Sequence, residues 1–177
     1  MIKKELINNI VQTVNKIVYP TDLSRKGYLV FYPTDGYHLS EKQYNVFMDA
    51  LNTLKVLDET TNLDIEFIDT LDEIPQEGIR QFSGFDYSSY QSFSLIFENC
   101  IVDKKLRWSI CIYQDYWGII YGSNELLCEM VQNYDFEEDL EKFKEEVLSE
   151  INDTEIRKSY EELINLSYIY SEKNSPK

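Results

Sequence analysis

Three apolar runs near the middle of the chain constrain its fold most strongly. They span residues 93–102, 106–113 and 116–121, and short polar breaks separate them. Within each run apolar and polar side chains alternate, which is the period of a β-strand. Breaks this short join neighbouring antiparallel strands. The sequence therefore predicts an antiparallel meander over residues 93–122, which the rest of the chain must cover.

The second break predicts a strand register that a structure can test. If Gln114 and Asp115 form a two-residue turn, the residues on either side pair in a fixed order. One side of the sheet then carries Ile112 opposite Trp117, Ile110 opposite Ile119 and Trp108 opposite Tyr121. The other side, which is smaller and more polar, carries Tyr113 opposite Tyr116, Cys111 opposite Gly118 and Ser109 opposite Ile120. Because a slip of one residue exchanges the two sides, burial of the tryptophan and isoleucine set is expected to select this register.

Helical and strand patterns fill the chain on both sides of the meander. Helix starts are marked by capping boxes at Ser40 with Gln43 and at Asp135 with Glu138, and by a capping residue at Ser123. The predicted elements are a helix at 2–18, a strand at 27–32, a helix at 41–54, a strand at 63–68, a loop at 69–91 with one helical turn, the meander at 93–122, and helices at 124–132, 136–151 and 154–170. Together they predict one α+β domain over residues 1–177, with helices packed on one face of a central, mainly antiparallel β-sheet.

The composition is typical of a well-packed globule. Of the 177 residues, 43% are hydrophobic and 14% aromatic, with only 6 Gly and 4 Pro, which argues against a disordered acidic chain. A chain of this length buries a core without disulfides or metal. The sequence shows neither the apolar segment of a signal peptide nor a membrane-spanning run, so a cytoplasmic protein is expected.

The cysteines are expected to be structural. Cys100, Cys111 and Cys128 lie in or just after apolar segments, and their spacing matches no metal-ligand pattern. Buried, reduced and unreactive thiols are therefore expected, rather than a disulfide framework or a zinc site.

The sequence offers no strong catalytic candidate. His38 is the only histidine, and it stands near Asp35 in the loop before the second predicted helix. No nucleophile motif, calcium-binding loop or glycine-rich phosphate loop accompanies it. A loop histidine without a located base or nucleophile is usually a surface residue. The prediction is a protein that is not an enzyme and has no catalytic residue, cofactor or metal site, although the acids at 135–141 could gather a divalent ion weakly.

Acidic residues are concentrated in two blocks of the chain. Residues 56–99 contain ten acidic and one basic residue, residues 123–177 contain fifteen and six, and the net charge of the chain is −15. Such charge disfavours nucleic acid and anionic membrane as partners and accelerates the approach of a basic protein. The alternative is that the acidity only keeps the protein soluble.

The predicted binding surface combines acidic and aromatic side chains, because carboxylates steer a basic partner while Tyr and Trp provide anchor contacts. Residues 69–90 and 113–117 offer this combination, and the acidic late helix presents glutamates three and four positions apart on one face. The candidate protein-binding residues are Asp72, Glu73, Glu77, Tyr87, Tyr113, Tyr116, Glu137, Glu138, Glu141 and Glu145. Any single aromatic among them could instead belong to the core.

Two segments carry a likeness to a known class of proteins. The aromatic strand-turn-strand of residues 108–121 contains Tyr113-Gln114-Asp115-Tyr116-Trp117-Gly118, and an acidic helix follows at 135–150. In these features and in its size, the chain resembles the small acidic cytosolic immunity proteins that bacteria make against polymorphic or contact-dependent toxins. The resemblance implies an inhibitor that binds a toxin domain, often a basic nuclease, and covers or distorts its active site. A cytosolic adaptor or regulatory domain, and an enzyme that uses His38 with Asp35, are the alternatives.

Overall fold

The computed structural model describes residues 2–3, 11–14, 17–20, 27–57, 60–64, 73–74, 79–82, 86–92, 98–103, 105 and 107–169. The strands are β1 (Ile2–Lys3), β2 (Val11–Val14), β3 (Ile17–Pro20), β4 (Gly27–Phe31), β5 (Thr60–Asp64), β6 (Glu73–Ile74), β7 (Ile79–Phe82), β8 (Asn99–Asp103), β9 (Ser109–Tyr113) and β10 (Trp117–Gly122). The helices are α1 (Glu41–Thr53), α2 (Tyr87–Ser92), α3 (Asn124–Asn133), α4 (Phe136–Glu146) and α5 (Thr154–Leu166), with a 3-10 turn at Leu148–Glu150.

An antiparallel sheet of six strands forms the centre of the described fold, in the order β4-β10-β9-β8-β5-β7. The strands β8, β9 and β10 are neighbours in the sheet, which confirms the predicted meander, although residues 93–97 lie outside the described part. The α+β class and the antiparallel sheet are as predicted. The strand predicted at 27–32 is β4, whereas the one predicted at 63–68 begins earlier as β5, and residues 65–68 lie outside the described part.

Helices cover both faces of this sheet, so the predicted cover on one face is wrong. On one face, Trp117 and Tyr121 belong to a core layer that includes residues of α4, the 3-10 turn and α5. On the other face, Trp108 and Ile110 belong to a layer that includes residues of α1, α2 and α3. Every residue of β9 and β10 is buried as a result. The side chains predicted to share a more polar face are divided between the two layers, with Tyr113 and Cys111 in the first and Ile120 in the second.

The register of β9 and β10 differs from the prediction by one residue. Trp117 pairs with Tyr113, so the turn contains residues 114–116 rather than two residues. Trp108 and Tyr121 consequently lie on opposite faces of the sheet. The prediction assumed that only one register buries the apolar side chains. Because helices cover both faces of the sheet, either register buries them. Burial therefore does not select between the two registers.

Backbone geometry shows how the longer turn is held. Asp115 and Tyr116 adopt left-handed conformations, with φ angles of 68° and 58°. Asp accepts this conformation more readily than most residues, whereas an aromatic residue does so rarely. The carbonyl oxygen of Tyr116 accepts a hydrogen bond of 2.7 Å from the backbone N–H of Thr34, which fixes the turn against the chain that leaves β4.

The described residues of the helix predicted at 2–18 are in strands, and residues 4–10 and 15–16 lie outside the described part. β2 and β3 form an antiparallel pair, and β1 pairs with β6. The spacing of the apolar residues suits a helix, but most of them are Ile and Val, whose β-branched side chains are stiff in helices and favoured in strands. The loop predicted at 69–91 is also wrong in part, since β6, β7 and α2 fall within it, and its expected helical turn corresponds to α2.

The later helices begin where their capping residues predict. Ser40 and Gln43 form a capping box at α1, with hydrogen bonds of 3.0 and 3.4 Å between side chain and backbone in each direction. Ser123 and Asp135 cap α3 and α4. α4 ends at Glu146 rather than at residue 151, because the chain tightens into the 3-10 turn. This early end creates the bend between α4 and α5.

Candidate functional site

A groove of about 870 Å³ opens at the bend between α4 and α5. We call it the acidic groove. It is lined by Tyr32, Asp115, Tyr116, Glu145, Glu146, Val147, Glu150, Ile151, Asn152, Asp153, Ile156 and Tyr160. These residues come from the end of β4, the turn between β9 and β10, the last turn of α4, the 3-10 turn and the first two turns of α5.

Local hydrogen bonding explains why the chain bends here. The backbone N–H of Val147 still donates to the carbonyl of Phe143, which completes the last turn of α4. Ile151 is extended, so the chain leaves the 3-10 turn and changes direction. The Asp153 carboxylate then accepts hydrogen bonds from the N–H groups of Glu155 and Ile156 at 2.9 and 3.0 Å, which starts α5. Asp153 is therefore both a helix cap and a lining residue of the groove.

Aromatic rings join the groove to the protein core. The ring of Trp117 lies 5.0 Å from that of Phe143 and 5.4 Å from that of Tyr160, measured between centroids. Tyr32 meets Phe143 edge to face at 6.1 Å. Trp117 and Phe143 are fully buried, whereas Tyr32 and Tyr160 are half-buried. Packed rings of this kind hold the groove-lining tyrosines in a fixed arrangement.

The charge of the groove has one sign. Five of its lining residues are carboxylic acids, and among the described residues that line it none is basic. Tyr32 lies close to three of these acids, and its hydroxyl donates a 2.7 Å hydrogen bond to Oε2 of Glu146. Burial, this hydrogen bond and the charges of Glu146, Glu150 and Asp115 raise the pKa of Tyr32 to about 12. The Tyr32 hydroxyl therefore lies in a partly buried and negatively charged environment.

Exposed apolar surface accompanies the charge. Three large hydrophobic side chains in the described ranges are exposed, and two of them, Tyr116 at 57% and Ile156 at 44%, line the acidic groove. Burial of an apolar side chain against a partner is energetically favourable, and aromatic side chains are frequent anchors in protein interfaces. The groove thus presents contact surface as well as charge.

A second groove, of about 420 Å³, lies at the start of α4 and differs in its charge. Its lining includes Lys42 as well as Asp135 and Glu137. The Lys42 ammonium also lies 4.8 Å from the centre of the Tyr134 ring. Because both signs of charge meet here, this smaller groove has less net attraction for a basic partner than the acidic groove.

Beneath the start of α4, Asp139 is a buried carboxylate held by three elements. It accepts hydrogen bonds from the backbone N–H of Tyr32 at 3.2 Å, from the side-chain amide of Gln43 at 3.4 Å and from the hydroxyl of Tyr134 at 3.0 Å. Burial raises the pKa of Asp139 to about 6, against the lowering effect of these hydrogen bonds and of Lys142. Its contacts tie β4 and α1 to α4, which is a structural role.

The structure divides the predicted late-helix residues between three places. Glu145 lines the acidic groove and Glu137 the smaller groove. Glu138 and Glu141 lie outside both grooves, where they form ion pairs of 2.6 and 2.7 Å with Lys142 and Lys144. The shared acidic face predicted for this helix is therefore partly neutralised by its own lysines.

The predicted aromatic residues also separate. Tyr116 lines the acidic groove as an exposed side chain, but Tyr113 is only 3% exposed and stacks on Trp117 at 4.2 Å. Its proposed place on a surface is wrong, because covering helices bury both faces of β9. Tyr87 is half-buried, and its hydroxyl donates to the carbonyl of Leu39 at 3.4 Å. Asp72 and Glu77 lie outside the described residues, and Glu73 is described only as backbone in β6.

Sequence reasoning missed most of the acidic groove. The residues that it did not select are Tyr32, Asp115, Glu146, Val147, Glu150, Ile151, Asn152, Asp153, Ile156 and Tyr160. One local signal was available, since Asn152-Asp153-Thr154 interrupts the helical pattern within an acidic stretch. The approach of Tyr32 and Asp115 to this stretch depends on tertiary packing, which leaves no local signal.

His38 and Asp35 are joined through their backbones. Each accepts a hydrogen bond from the other, at 2.8 and 3.1 Å, and the His38 ring packs edge-on against Tyr90 at 5.2 Å. These contacts order the loop before α1. The cysteines follow the prediction only in part, because Cys100 and Cys111 are buried but Cys128 is exposed.

Within the ranges given above, no three His, Cys, Asp or Glu side chains stand close enough to hold a metal ion. The helices of those ranges are each too short or too polar to cross a membrane. The chain matches no family model, no curated protein and no solved structure.

Proposed function

We propose that this protein is a binding module that captures a basic segment of a protein partner in the acidic groove. The observation that carries the proposal is a concave surface with five carboxylates, no basic lining residue among those described, and two exposed apolar side chains. Charge of one sign accelerates the encounter with an oppositely charged partner. Tyr116 and Ile156 then provide the apolar contact that holds it.

The same charge defines what the groove rejects. Phosphate groups of nucleic acid and of anionic lipid are repelled by the carboxylates, and the net charge of −15 extends this repulsion beyond the groove. A Lys or Arg side chain is the complementary group, since its aliphatic part contacts Tyr116 and Ile156 while its charged end reaches the carboxylates. The geometry therefore favours a segment that combines basic and apolar residues.

We further propose that the partner is a basic toxin domain, and that binding neutralises it in the cytoplasm of a bacterium. The support is the resemblance to acidic immunity proteins together with the charge and shape of the groove. A basic nuclease offers positive surface at its nucleic-acid site. An inhibitor whose carboxylates occupy that surface blocks substrate without any catalytic step.

The first test uses a labelled peptide of alternating Arg, Leu and Lys residues as the probe. Fluorescence anisotropy is expected to show binding, and an analogue with Gln at each basic position is expected to bind much more weakly. The double variant Glu145→Lys with Glu150→Lys places two positive charges in the groove and is expected to lower the affinity at least about tenfold. Both residues are exposed, so little stability is lost.

A matched control is available on the same helix. The variant Glu138→Lys with Glu141→Lys changes the net charge by the same amount but alters residues outside both grooves. It is expected to lower the affinity less than about threefold. Equal losses in the two double variants would show that net charge alone governs binding, and unchanged affinity in the groove variant would remove the groove from the mechanism.

The toxin proposal has a separate test. A toxin domain encoded beside this protein's gene would be expressed in bacteria with the wild-type protein or with the Glu145→Lys, Glu150→Lys variant. Wild-type protein is expected to restore growth and the variant to fail. A neighbouring toxin whose effect is unchanged by the wild-type protein, together with retained peptide binding, would favour an adaptor instead.

A further inference from the structure

Two buried thiols face each other in the middle of the sheet. Cys100 in β8 and Cys111 in β9 are paired residues of the antiparallel ladder, and neither is accessible to solvent. Their sulfur atoms are 2.7 Å apart. A disulfide has a sulfur separation of about 2.05 Å, so a shift of roughly 0.6 Å would bring these atoms to bonding distance.

The ladder position of the pair suits a disulfide. The backbone N–H of Asp103 donates to the carbonyl of Trp108 at 3.1 Å, which marks that pair as hydrogen-bonded. Hydrogen-bonded and non-hydrogen-bonded pairs alternate along an antiparallel ladder, so Cys100 and Cys111, three positions further on, form a non-hydrogen-bonded pair. Such pairs have Cα atoms about 4.5 Å apart, within the range of about 4.4–6.8 Å found in disulfides.

We propose that Cys100 and Cys111 are a redox site, whose two thiols are converted reversibly to a cross-strand disulfide by hydrogen peroxide. The sulfur of one cysteine attacks the peroxide, the O–O bond breaks, and a sulfenic acid and one molecule of water form. The sulfur of the second cysteine attacks the sulfenic sulfur, the S–O bond breaks, and a second water leaves. The thiols lose two electrons and two protons, and hydrogen peroxide, as the simplest oxidant, becomes two waters.

The environment of the two thiols determines the expected rate of their oxidation. Hydrogen bonding to Cys111 and burial raise the pKa of Cys100, which disfavours the reactive thiolate. Oxidation is therefore expected to be slower than that of Cys128, which is exposed. The bond, once formed, links β8 to β9 across a short loop and is expected to raise the melting temperature by roughly 5 °C.

The experiment uses the full chain with Cys128→Ser, which leaves the buried pair as the only thiols. The native, reduced protein is treated with hydrogen peroxide and then measured by intact mass spectrometry and by thiol titration in denaturant. Loss of the mass of two hydrogen atoms, loss of both titratable thiols, recovery of both with dithiothreitol and the higher melting temperature are the expected results.

A second variant with Cys100→Ser as well provides the control. Its single thiol is expected to persist or to gain oxygen, without loss of two hydrogen atoms. The proposal is overturned if the Cys128→Ser protein keeps both thiols after prolonged peroxide treatment, if it gains oxygen instead of losing hydrogen, or if the disulfide forms only in denaturant. An oxidised form that melts at or below the temperature of the reduced form also overturns it.

Discussion

Asp139 is a buried carboxylate whose ionisation opposes folding. Its pKa is raised from 3.8 to about 6 in the folded protein. Well below pH 3.8 the carboxyl group is protonated in both states, and it adds no pH dependence. As the pH rises to about 6 the unfolded chain releases this proton first, so the stability falls, and above that pH the loss is constant.

The variant Asp139→Asn removes this titration. The difference in unfolding free energy, wild type minus variant, is expected to fall by about 2 kcal/mol between about pH 4 and about pH 7. Urea unfolding at a series of pH values measures it. The exposed Asp49, changed to Asn, provides the control and is expected to show a nearly constant difference. A rising difference with pH in the Asp139→Asn series would mean that the hydrogen bonds, rather than burial, dominate the pKa of Asp139.

The sequence alone did not predict which individual residues are buried and which are exposed. Asp139 follows Glu137 and Glu138 in an acidic run and has nothing local that distinguishes it from them. Its surroundings include Tyr32 and Gln43, which come from distant parts of the chain, as well as the nearby Tyr134. Tyr113 and Tyr116 likewise cannot be told apart from their side chains. The register of β9 and β10 places Tyr113 in the ladder, where it is buried, and Tyr116 in the turn, where it is exposed.

At the scale of the element, α5 depends on Asp153 for its start. Replacement by Ala removes both the two capping hydrogen bonds and a groove charge, whereas replacement by Asn keeps a capping oxygen and removes only the charge. Asp153→Ala is expected to lower the unfolding free energy by about 1 kcal/mol, and Asp153→Asn to change it by only a few tenths. Denaturant unfolding measures both.

Peptide binding by the two variants then distinguishes the helix-capping role of Asp153 from the role of its charge. Both variants are expected to weaken binding of the basic peptide, because both remove one groove carboxylate. If Asp153→Asn binds as tightly as the wild type, the Asp153 charge has no part in binding and only its helix-capping role remains.

Local signals predicted elements well where they act within a few residues. The capping residues Ser40, Ser123 and Asp135 each mark the true start of a helix. The helix predicted at 2–18 is wrong for residues 2–3, 11–14 and 17–18, because the prediction gave more weight to apolar spacing than to β-branched composition. The pairing of β1, β2 and β3 depends on partners that the spacing does not reveal. The predicted register of β9 and β10 was wrong because the prediction assumed that only one face of the sheet is buried.

At the scale of the molecule, the net charge of −15 predicts a strong effect of salt on partner encounter. Raising the salt concentration from about 0.05 to about 0.5 M shortens the Debye length from roughly 14 to roughly 4 Å. The association rate constant of the basic peptide is expected to fall at least about tenfold, and its dissociation rate constant to change much less. Stopped-flow fluorescence measures both rates. An association rate that is insensitive to salt would contradict steering by the acidic surface.

The site was less predictable than the fold, because the acidic groove joins parts of the chain that are far apart in sequence. Tyr32 precedes the 145–160 stretch by more than a hundred residues, as the hydrogen bond between Tyr32 and Glu146 shows with its separation of 114 positions. The acidic groove combines acidic and aromatic side chains, which is the type of surface that the sequence predicted, whereas binding of a basic protein stays a prediction. It selected only Tyr116 and Glu145 of the groove, since the bend after α4 and the end of β4 meet only in the folded chain.

The single sign of charge in the acidic groove also affects the free protein. Carboxylates held near one another repel, and no basic side chain among the described lining residues offsets this repulsion. The proposed binding of a basic segment and the stability of the free protein would therefore impose opposite demands on the same positions. A basic segment bound as proposed would weaken this repulsion, so occupancy of the groove and resistance to unfolding would be thermodynamically linked.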